Sequence, residues 1–255
     1  HLYVIAGQYN IIPPDNPVIG IIGKGAILPC RLEDKVIPEK LSVQWFFTGS
    51  STEREVATFD GKNPQNPFLE FEAYRGRTDF FPSEFYQGNL SLLLKNIYPS
   101  DKGKYTCSVF LENWYDEVVV DLDVAAKGDE PSVFLEGHVG KGISLTCRSQ
   151  GWFPAPSVVW LDSQGQTRQE EVTTQSTPGS SSSIFDVISS MNLEPGSDQE
   201  VSCRVVNDVL NTAHESRVQI SDSFFPSTSP WMFASLTVLG LDLGIIGAVV
   251  YKMKR

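Results

Sequence analysis

The sequence predicts an all-β extracellular part made of two tandem sandwich domains, followed by a single transmembrane helix. Three observations support this prediction. The chain has four cysteines, which form two successive pairs that each enclose a tryptophan. From Val18 to Val124, short apolar runs alternate with turn residues, as expected of strands in a sandwich. The 21 residues from Trp231 to Tyr251 contain one charge and are long enough to cross a bilayer.

The cysteine spacing identifies the type of sandwich. In chain order the two sets are Cys30, Trp45 and Cys107, and then Cys147, Trp160 and Cys203. This spacing is typical of immunoglobulin domains, in which a disulfide joins the two sheets and the tryptophan packs against it. Because the two pairs use all four cysteines, we expect folding in the oxidising secretory pathway.

The two domains differ in the length of chain between the tryptophan and the second cysteine. This gap holds 61 residues in the first domain and 42 in the second. The longer gap leaves room for the two extra strands of a V-type domain, at 7–126, and the shorter gap fits a C-type domain, at 127–222. Residues 1–6 either end a signal peptide, with Val4 and Ala6 at the small cleavage positions, or extend the first strand.

The C-terminal residues predict a membrane anchor. A stalk is expected at 223–230, a transmembrane helix at 231–251 and a cytoplasmic tail at 252–255. As a helix the apolar segment would be about 31 Å long, which matches the hydrocarbon thickness of a bilayer. Positive residues follow it directly, so we expect a type I single-pass protein of the plasma membrane. The short tail indicates either a truncated chain or a ligand that signals outward.

Composition and missing motifs exclude several classes of function. A net charge of −11 disfavours binding to nucleic acid, because that binding needs cationic side chains on phosphates. No metal site is expected, because His1, His138 and His214 are far apart and no Cys-x-x-Cys occurs. Neither Gly-x-Ser-x-Gly, His-Glu-x-x-His nor a phosphate-binding glycine loop is present. We therefore expect no catalytic residues and no cofactor.

The segment before the second cysteine carries the strongest local motif, Asp-x-Gly-x-Tyr-x-Cys. In it Tyr105 is expected to form a tyrosine corner, with its hydroxyl bonded to backbone a few residues upstream. Asp101 is expected to form a structural ion pair with Arg77. Asn89 begins an Asn-Leu-Ser sequon and is the predicted glycosylation site, unless the sequon is unused.

Several short motifs resemble one family of immunoglobulin proteins. They are Gly7-Gln-Tyr9, Leu28-Pro-Cys-Arg-Leu32, Tyr74-Arg-Gly-Arg-Thr-Asp-Phe80, Val124-Ala-Ala126 and Gly151-Trp-Phe-Pro154. Together they resemble the butyrophilin and myelin-oligodendrocyte-glycoprotein group. Through Trp160-Leu-Asp-Ser-Gln-Gly165 and Phe185-Asp-Val187, the second domain is also similar to the B-seven T-cell co-regulatory ligands. The resemblance implies a V-type plus C-type ectodomain that modulates T cells by binding a counter-receptor.

The partner-binding surface is predicted on one sheet face of the first domain and on its adjoining turn. Strand alternation places Trp45, Tyr105 and Cys107 inward, which leaves their neighbours on the outer side. The predicted contact residues are Gln44, Phe46, Phe110, Leu111, Trp114 and Tyr115. The last four are expected on the turn between the two final strands, where large aromatic residues indicate a binding partner. Alternatively, Trp114 or Tyr115 folds back onto Phe46.

The transmembrane segment carries two further features. Gly240, Gly244 and Ala248 recur every four residues and predict close contact with a second helix, in a homodimer or a close heterodimer. Asp242 points away from this stripe and is expected to face another helix or a polar defect.

Three functions fit these features. The first is a cell-surface ligand for a receptor on a T cell. The second is homophilic or heterophilic adhesion between cells. The third is the ligand-binding subunit of a signalling receptor, coupled to a membrane partner at Asp242. The fold does not choose among them.

Overall fold

The computed structural model describes most of the chain. The described residues are 9–15, 17–49, 53–168, 172–179, 183–225 and 230–254, with backbone alone for 230–233. The expected signal-peptide remnant at 1–6 lies outside these residues.

The first domain is built from strands β1 to β11. Their bounds are β1 Ile11–Ile12, β2 Val18–Ile21, β3 Ala26–Leu28, β4 Arg31–Leu32, β5 Leu41–Thr48, β6 Glu53–Asp60, β7 Phe68–Glu70, β8 Thr78–Asp79, β9 Leu92–Leu94, β10 Gly103–Leu111 and β11 Trp114–Ala125. One sheet has the order β2-β11-β10-β5-β6-β7 and the other has the order β3-β9-β8, while β1 pairs with β4. Strands β6 and β7 are the extra strands that the longer gap predicts for a V-type domain.

The second domain is built from strands β12 to β18. Their bounds are β12 Ser132–Val139, β13 Gly142–Trp152, β14 Ser157–Leu161, β15 Val172–Pro178, β16 Phe185–Leu193, β17 Glu200–Asn207 and β18 Thr212–Gln219. The sheets have the orders β12-β13-β16-β15 and β14-β17-β18, which is the four-plus-three arrangement of a C-type domain. The predicted fold class is therefore confirmed for both domains.

Each sandwich has its own core around the predicted disulfide. Cys30 is bonded to Cys107 and Cys147 to Cys203. The tryptophan of each core is buried, and its indole nitrogen finds a partner: Trp45 Nε1 donates to a backbone carbonyl at 3.3 Å, and Trp160 Nε1 donates to the Ser189 hydroxyl at 2.9 Å. These bonds satisfy the only polar atom of each ring, so burial of the indoles leaves no unpaired donor there.

The joint between the domains is held by direct contacts. Ala126 and Phe153 exchange backbone hydrogen bonds, with N–O distances of 2.8 and 3.2 Å. The side-chain amide of Asn207 donates to both of their carbonyls, at 3.3 and 3.0 Å. The Phe153 ring also packs against the core of the first domain. The segment around Phe153 in the second domain is therefore hydrogen-bonded to the residue that follows β11 in the first domain.

The C-terminal helix α1 runs from Pro230 to Lys254. Its segment Ala234–Lys254 is long and apolar enough to cross a membrane, and an 18-residue window within it has a mean hydropathy of 1.8. The helix begins one residue before the predicted segment and continues through the expected tail to Lys254.

Upstream of the helix, His138 Nε2 donates to the Phe224 carbonyl at 2.7 Å, and Phe225 packs against the second core. The first residues of the expected stalk therefore belong to the second domain.

Candidate binding face

The six-stranded sheet of the first domain has an outer surface that faces away from the core. Strands β6, β5, β10 and β11 cross it in four rows of paired residues, which we call the outer face. The rows are Asp60, Ser42, Phe110 and Tyr115; Thr58, Gln44, Ser108 and Glu117; Glu55, Phe46, Thr106 and Val119; and Glu53, Thr48, Lys104 and Asp121. Their alternation with buried neighbours such as Trp45 and Cys107 places these side chains on one side of the sheet.

Two aromatic side chains lie exposed on this face. The rings of Phe110 and Tyr115 face each other across β10 and β11, with centroids 4.7 Å apart. Phe110 is 36% exposed and Tyr115 is 52% exposed. Large aromatic side chains that remain exposed on a flat sheet are a common feature of protein-binding surfaces.

The predicted contact residues Leu111 and Trp114 need correction. The four residues expected on a turn lie in the strands, and only Glu112 and Asn113 form the turn between β10 and β11. Leu111 is 4% exposed because it points into the core, so its assignment to a contact surface is wrong. Trp114 pairs with Leu111 and packs on Tyr9, with ring centroids 5.4 Å apart, on the inner side of the sheet.

The remaining predicted contacts, Gln44 and Phe46, do lie on the outer face, and both are half-buried. The alternative in which Trp114 or Tyr115 folds back onto Phe46 does not match the ring contacts, because Tyr115 lies on Phe110. Ser108 points outward but is buried beneath its neighbours. The middle of the outer face is therefore closely packed, and its exposed aromatic surface is concentrated beside the turn.

Carboxylates surround this aromatic surface. The outer face carries Glu53, Glu55, Asp60, Glu117 and Asp121, against a single amine. That amine, on Lys104, is already paired with Asp121 at 2.9 Å. Within the described part of the chain, the other four carboxylates form no ion pair. The face therefore presents uncompensated negative charge.

Glu117 is the acidic residue that contacts the aromatic pair. The Tyr115 hydroxyl donates to Glu117 Oε2 at 2.5 Å. This hydrogen bond to the carboxylate raises the pKa of Tyr115, because it stabilises the protonated phenol. Sequence reasoning missed Glu117, although strand alternation two residues beyond Tyr115 indicates it.

The acidic residues of this surface are not grouped around a common point. Among the described residues, no group of three or more His, Cys, Asp or Glu side chains is arranged to hold a metal ion. The chemistry that the outer face offers is that of molecular recognition: exposed rings, hydrogen-bond acceptors and negative charge.

The fold and this face define a class of protein: a tandem V-type and C-type immunoglobulin ectodomain, with a helix that fits a single-pass membrane anchor. Comparison with known proteins gives the family. Residues 13–125 match the immunoglobulin V-set domain, and residues 128–215 match the "Butyrophilin subfamily 3 member A2-like, Ig-C domain".

Relatives and solved structures agree with this match. Butyrophilin subfamily 1 member A1 from Bos taurus is 30% identical over 98% of this chain and 47% of its own length. Butyrophilin subfamily 2 member A2 from Homo sapiens is 29% identical over 92% of this chain and 44% of its own length. A crystal structure of bovine butyrophilin covers 84% of this chain and is itself covered completely, with a TM-score of 0.72 and 28% identity.

A more distant chain shares the fold. It comes from a crystal structure of ICOS in complex with ICOS-L and an anti ICOS-L VNAR domain, with a TM-score of 0.62 and 22% identity over 81% of this chain and 100% of its own length. The chain described here belongs to the butyrophilin group of the immunoglobulin superfamily, a group of immune-related cell-surface proteins. It spans about half the length of the curated relatives that it matches.

Proposed function

We propose that this protein is a cell-surface ligand whose first domain binds a protein receptor on a T cell and thereby regulates the T-cell response. The observation that carries the proposal is the exposed ring pair Phe110 and Tyr115, on the outer face of the first domain. Membership of the butyrophilin group supports an immune role. The absence of catalytic motifs from the sequence is consistent with a binding function.

The proposed location is the plasma membrane, with both immunoglobulin domains outside the cell. The apolar helix α1 supplies the anchor. Lys252 and Lys254 follow its apolar part, and positive residues favour the cytosolic side, which gives a type I orientation. The disulfides in both domains agree with an extracellular position, where they persist.

The test uses the full chain in proteoliposomes and T cells as the probe. We expect wild-type proteoliposomes to bind T cells, and we expect Tyr115→Ala and Phe110→Ala each to weaken this binding about thirtyfold, the scale of a hot-spot residue. Tyr86→Ala is the matched control, because Tyr86 is 55% exposed in the same domain but lies outside the outer face. Thermal unfolding of each variant would verify that the protein remains folded.

Other outcomes distinguish the remaining functions. Equal loss of binding in Tyr86→Ala and Tyr115→Ala would contradict the assignment to the outer face. Proteoliposomes that aggregate with one another and ignore T cells would support homophilic adhesion instead. A requirement for Asp242 in signalling by the cell that carries this protein would support a receptor subunit.

A further inference from the structure

Two arginines of this protein each contact both an aromatic ring and a carboxylate. The Arg77 guanidinium lies 4.5 Å from the centre of the Tyr98 ring and is paired with Asp101. The Arg148 guanidinium lies 5.5 Å from the centre of the Phe134 ring, and its Nη2 is 2.9 Å from Glu136 Oε1. In both cases a planar cation sits between an aromatic face and a carboxylate, an arrangement that suits guanidinium because it stacks and donates hydrogen bonds at once.

The outer face also has an aromatic ring beside a carboxylate, but the residues opposite them are not cations. Tyr115 and Glu117 are two residues apart on β11, which is the sequence separation of Phe134 and Glu136 on β12, although Glu136 lies at a register shift of its strand. In the second domain the guanidinium comes from Arg148 on the neighbouring strand β13, which lies opposite Ser132 and reaches Phe134 and Glu136 diagonally. In the first domain the neighbouring strand offers Phe110 and Ser108 opposite Tyr115 and Glu117, and neither is a cation.

The side chains of this position are held by contacts within the first domain. The Tyr115 ring is held on one side by the Phe110 ring at 4.7 Å, and its hydroxyl is held by Glu117 at 2.5 Å. Only one Glu117 oxygen accepts this bond, which leaves the other available to a further donor. More than half of the Tyr115 surface remains exposed, so a partner can reach the ring. A site that is already ordered loses little conformational entropy on binding.

We propose that Tyr115, Phe110 and Glu117 form a binding site for an arginine side chain of the receptor. This inference rests on the proposed function, because it names the chemistry of the partner that the outer face binds. The guanidinium stacks on the exposed ring of Tyr115 and donates to the carboxylate of Glu117. The uncompensated carboxylates elsewhere on the face favour a partner with a positively charged surface around that arginine, which would also increase the rate of association.

Arginine fits this position better than lysine does. The carboxylate and the ring face lie side by side on one strand, so a planar group with donors along its edge contacts both at once. An ammonium group is a compact point charge and gains less from stacking. A second copy of this chain is disfavoured as the partner, because the two outer faces would bring like charges together.

The test compares two acidic residues of the same face in full-length proteoliposomes with T cells as the probe. We expect Glu117→Gln to weaken binding about tenfold, since a hydrogen bond to a charged group is lost. Glu53→Gln is the matched control: Glu53 is exposed on the same face, but its cross-strand partner is Thr48 and not an aromatic residue. We expect it to change binding less than about twofold, as a rim charge does.

Chemical modification of the T cells identifies the partner group. An arginine-specific dicarbonyl reagent that does not enter cells should remove the difference between wild type and Glu117→Gln. Acetylation of surface lysines should leave that difference in place. If lysine acetylation alone removes the difference, the arginine assignment is wrong.

The outcomes separate this inference from the proposed function. If Glu117→Gln binds as wild type does while Tyr115→Ala does not, the proposed arginine-binding site is wrong, but the outer face remains the receptor-binding surface. If Glu117→Gln and Glu53→Gln weaken binding equally, general electrostatic attraction explains the effect, and the proposed arginine-binding site is wrong. If wild-type protein does not bind T cells at all, both proposals fail.

Discussion

The Arg77 guanidinium and the Asp101 carboxylate form a buried ion pair at the end of the first sandwich opposite the β10–β11 turn. Their side chains are 14% and 6% exposed. Asp101 Oδ2 also accepts the Tyr98 amide at 2.8 Å, and the Asp101 carbonyl accepts the Tyr105 hydroxyl at 2.9 Å. This network ties the start of β8 to β10 and contains both the ion pair and the tyrosine corner that the sequence predicts.

Removal of one partner of this ion pair should destabilise the first domain strongly. We expect Asp101→Ala to lower the free energy of unfolding by about 3 kcal/mol, because it leaves a buried guanidinium without its counter-charge. Lys104→Met is the control, since Lys104 and Asp121 form an ion pair that is more than half exposed. We expect that change to cost less than about 1 kcal/mol. Chemical denaturation measures both, and equal effects would contradict the prediction.

Glu70 should make the stability of the first domain depend on pH. Burial raises the pKa of this carboxyl, but hydrogen bonds from the Thr78 hydroxyl and from the amides of Gly76, Thr78 and Arg77 outweigh it and lower the pKa overall. A lowered folded-state pKa contributes stability that is present above the unfolded value of about 4.3 and is lost as the pH falls through the folded value.

We therefore expect Glu70→Gln to destabilise the domain by about 2 kcal/mol at neutral pH, because charged hydrogen bonds are lost. The difference from wild type should shrink as the pH falls from about 5 to about 2. Glu72→Gln is the control, because Glu72 is 83% exposed and its side chain is bonded to the exposed Arg75 side chain. Denaturation at a series of pH values tests this, and a difference that does not change with pH would contradict it.

Asn89 should carry an N-linked glycan. Its side chain is half-buried: Nδ2 donates to Glu84 Oε2 at 2.6 Å and Oδ1 accepts the Ser91 amide at 3.3 Å. A glycan on Nδ2 replaces one of its two protons and leaves the other to donate to Glu84. Protein made in mammalian cells should migrate faster after glycosidase treatment, and Asn89→Gln should not respond. Unchanged mobility of the wild type would mean that the sequon is unused.

The apolar helix α1 should self-associate through its small residues. Gly240, Gly244 and Ala248 lie on one helix face, and their small side chains allow a second helix to approach closely. Asp242 lies about 200° from Gly240 around the helix axis, at about 100° per residue. In a membrane reporter assay, Gly240→Ile with Gly244→Ile should abolish association, while Asp242→Leu should preserve it. If only Asp242→Leu reduces association, the helices contact each other through the face that carries Asp242.

Local sequence motifs predicted much of the first domain. The Asp-x-Gly-x-Tyr-x-Cys motif gave the tyrosine corner, because all its members lie within one strand and the turn before it. The contact residues beside the β10–β11 turn were harder to predict. Both strands continue to a two-residue turn, in which Glu112 has a φ of 51°. Turn length sets the register of a hairpin, and the register determines which side chains point outward.

The sequence by itself determined the two disulfide-linked sandwiches, their V-type and C-type lengths, the buried tryptophans and the apolar C-terminal helix. These features depend on residue spacing and hydrophobicity, which are properties of the chain. Only the tertiary structure decided that Leu111 and Trp114 point inward, that Phe110 and Tyr115 point outward, and that Glu117 lies opposite Ser108. Those facts depend on how separate strands pair, because cross-strand neighbours come from residues whose alignment is set by the whole sheet.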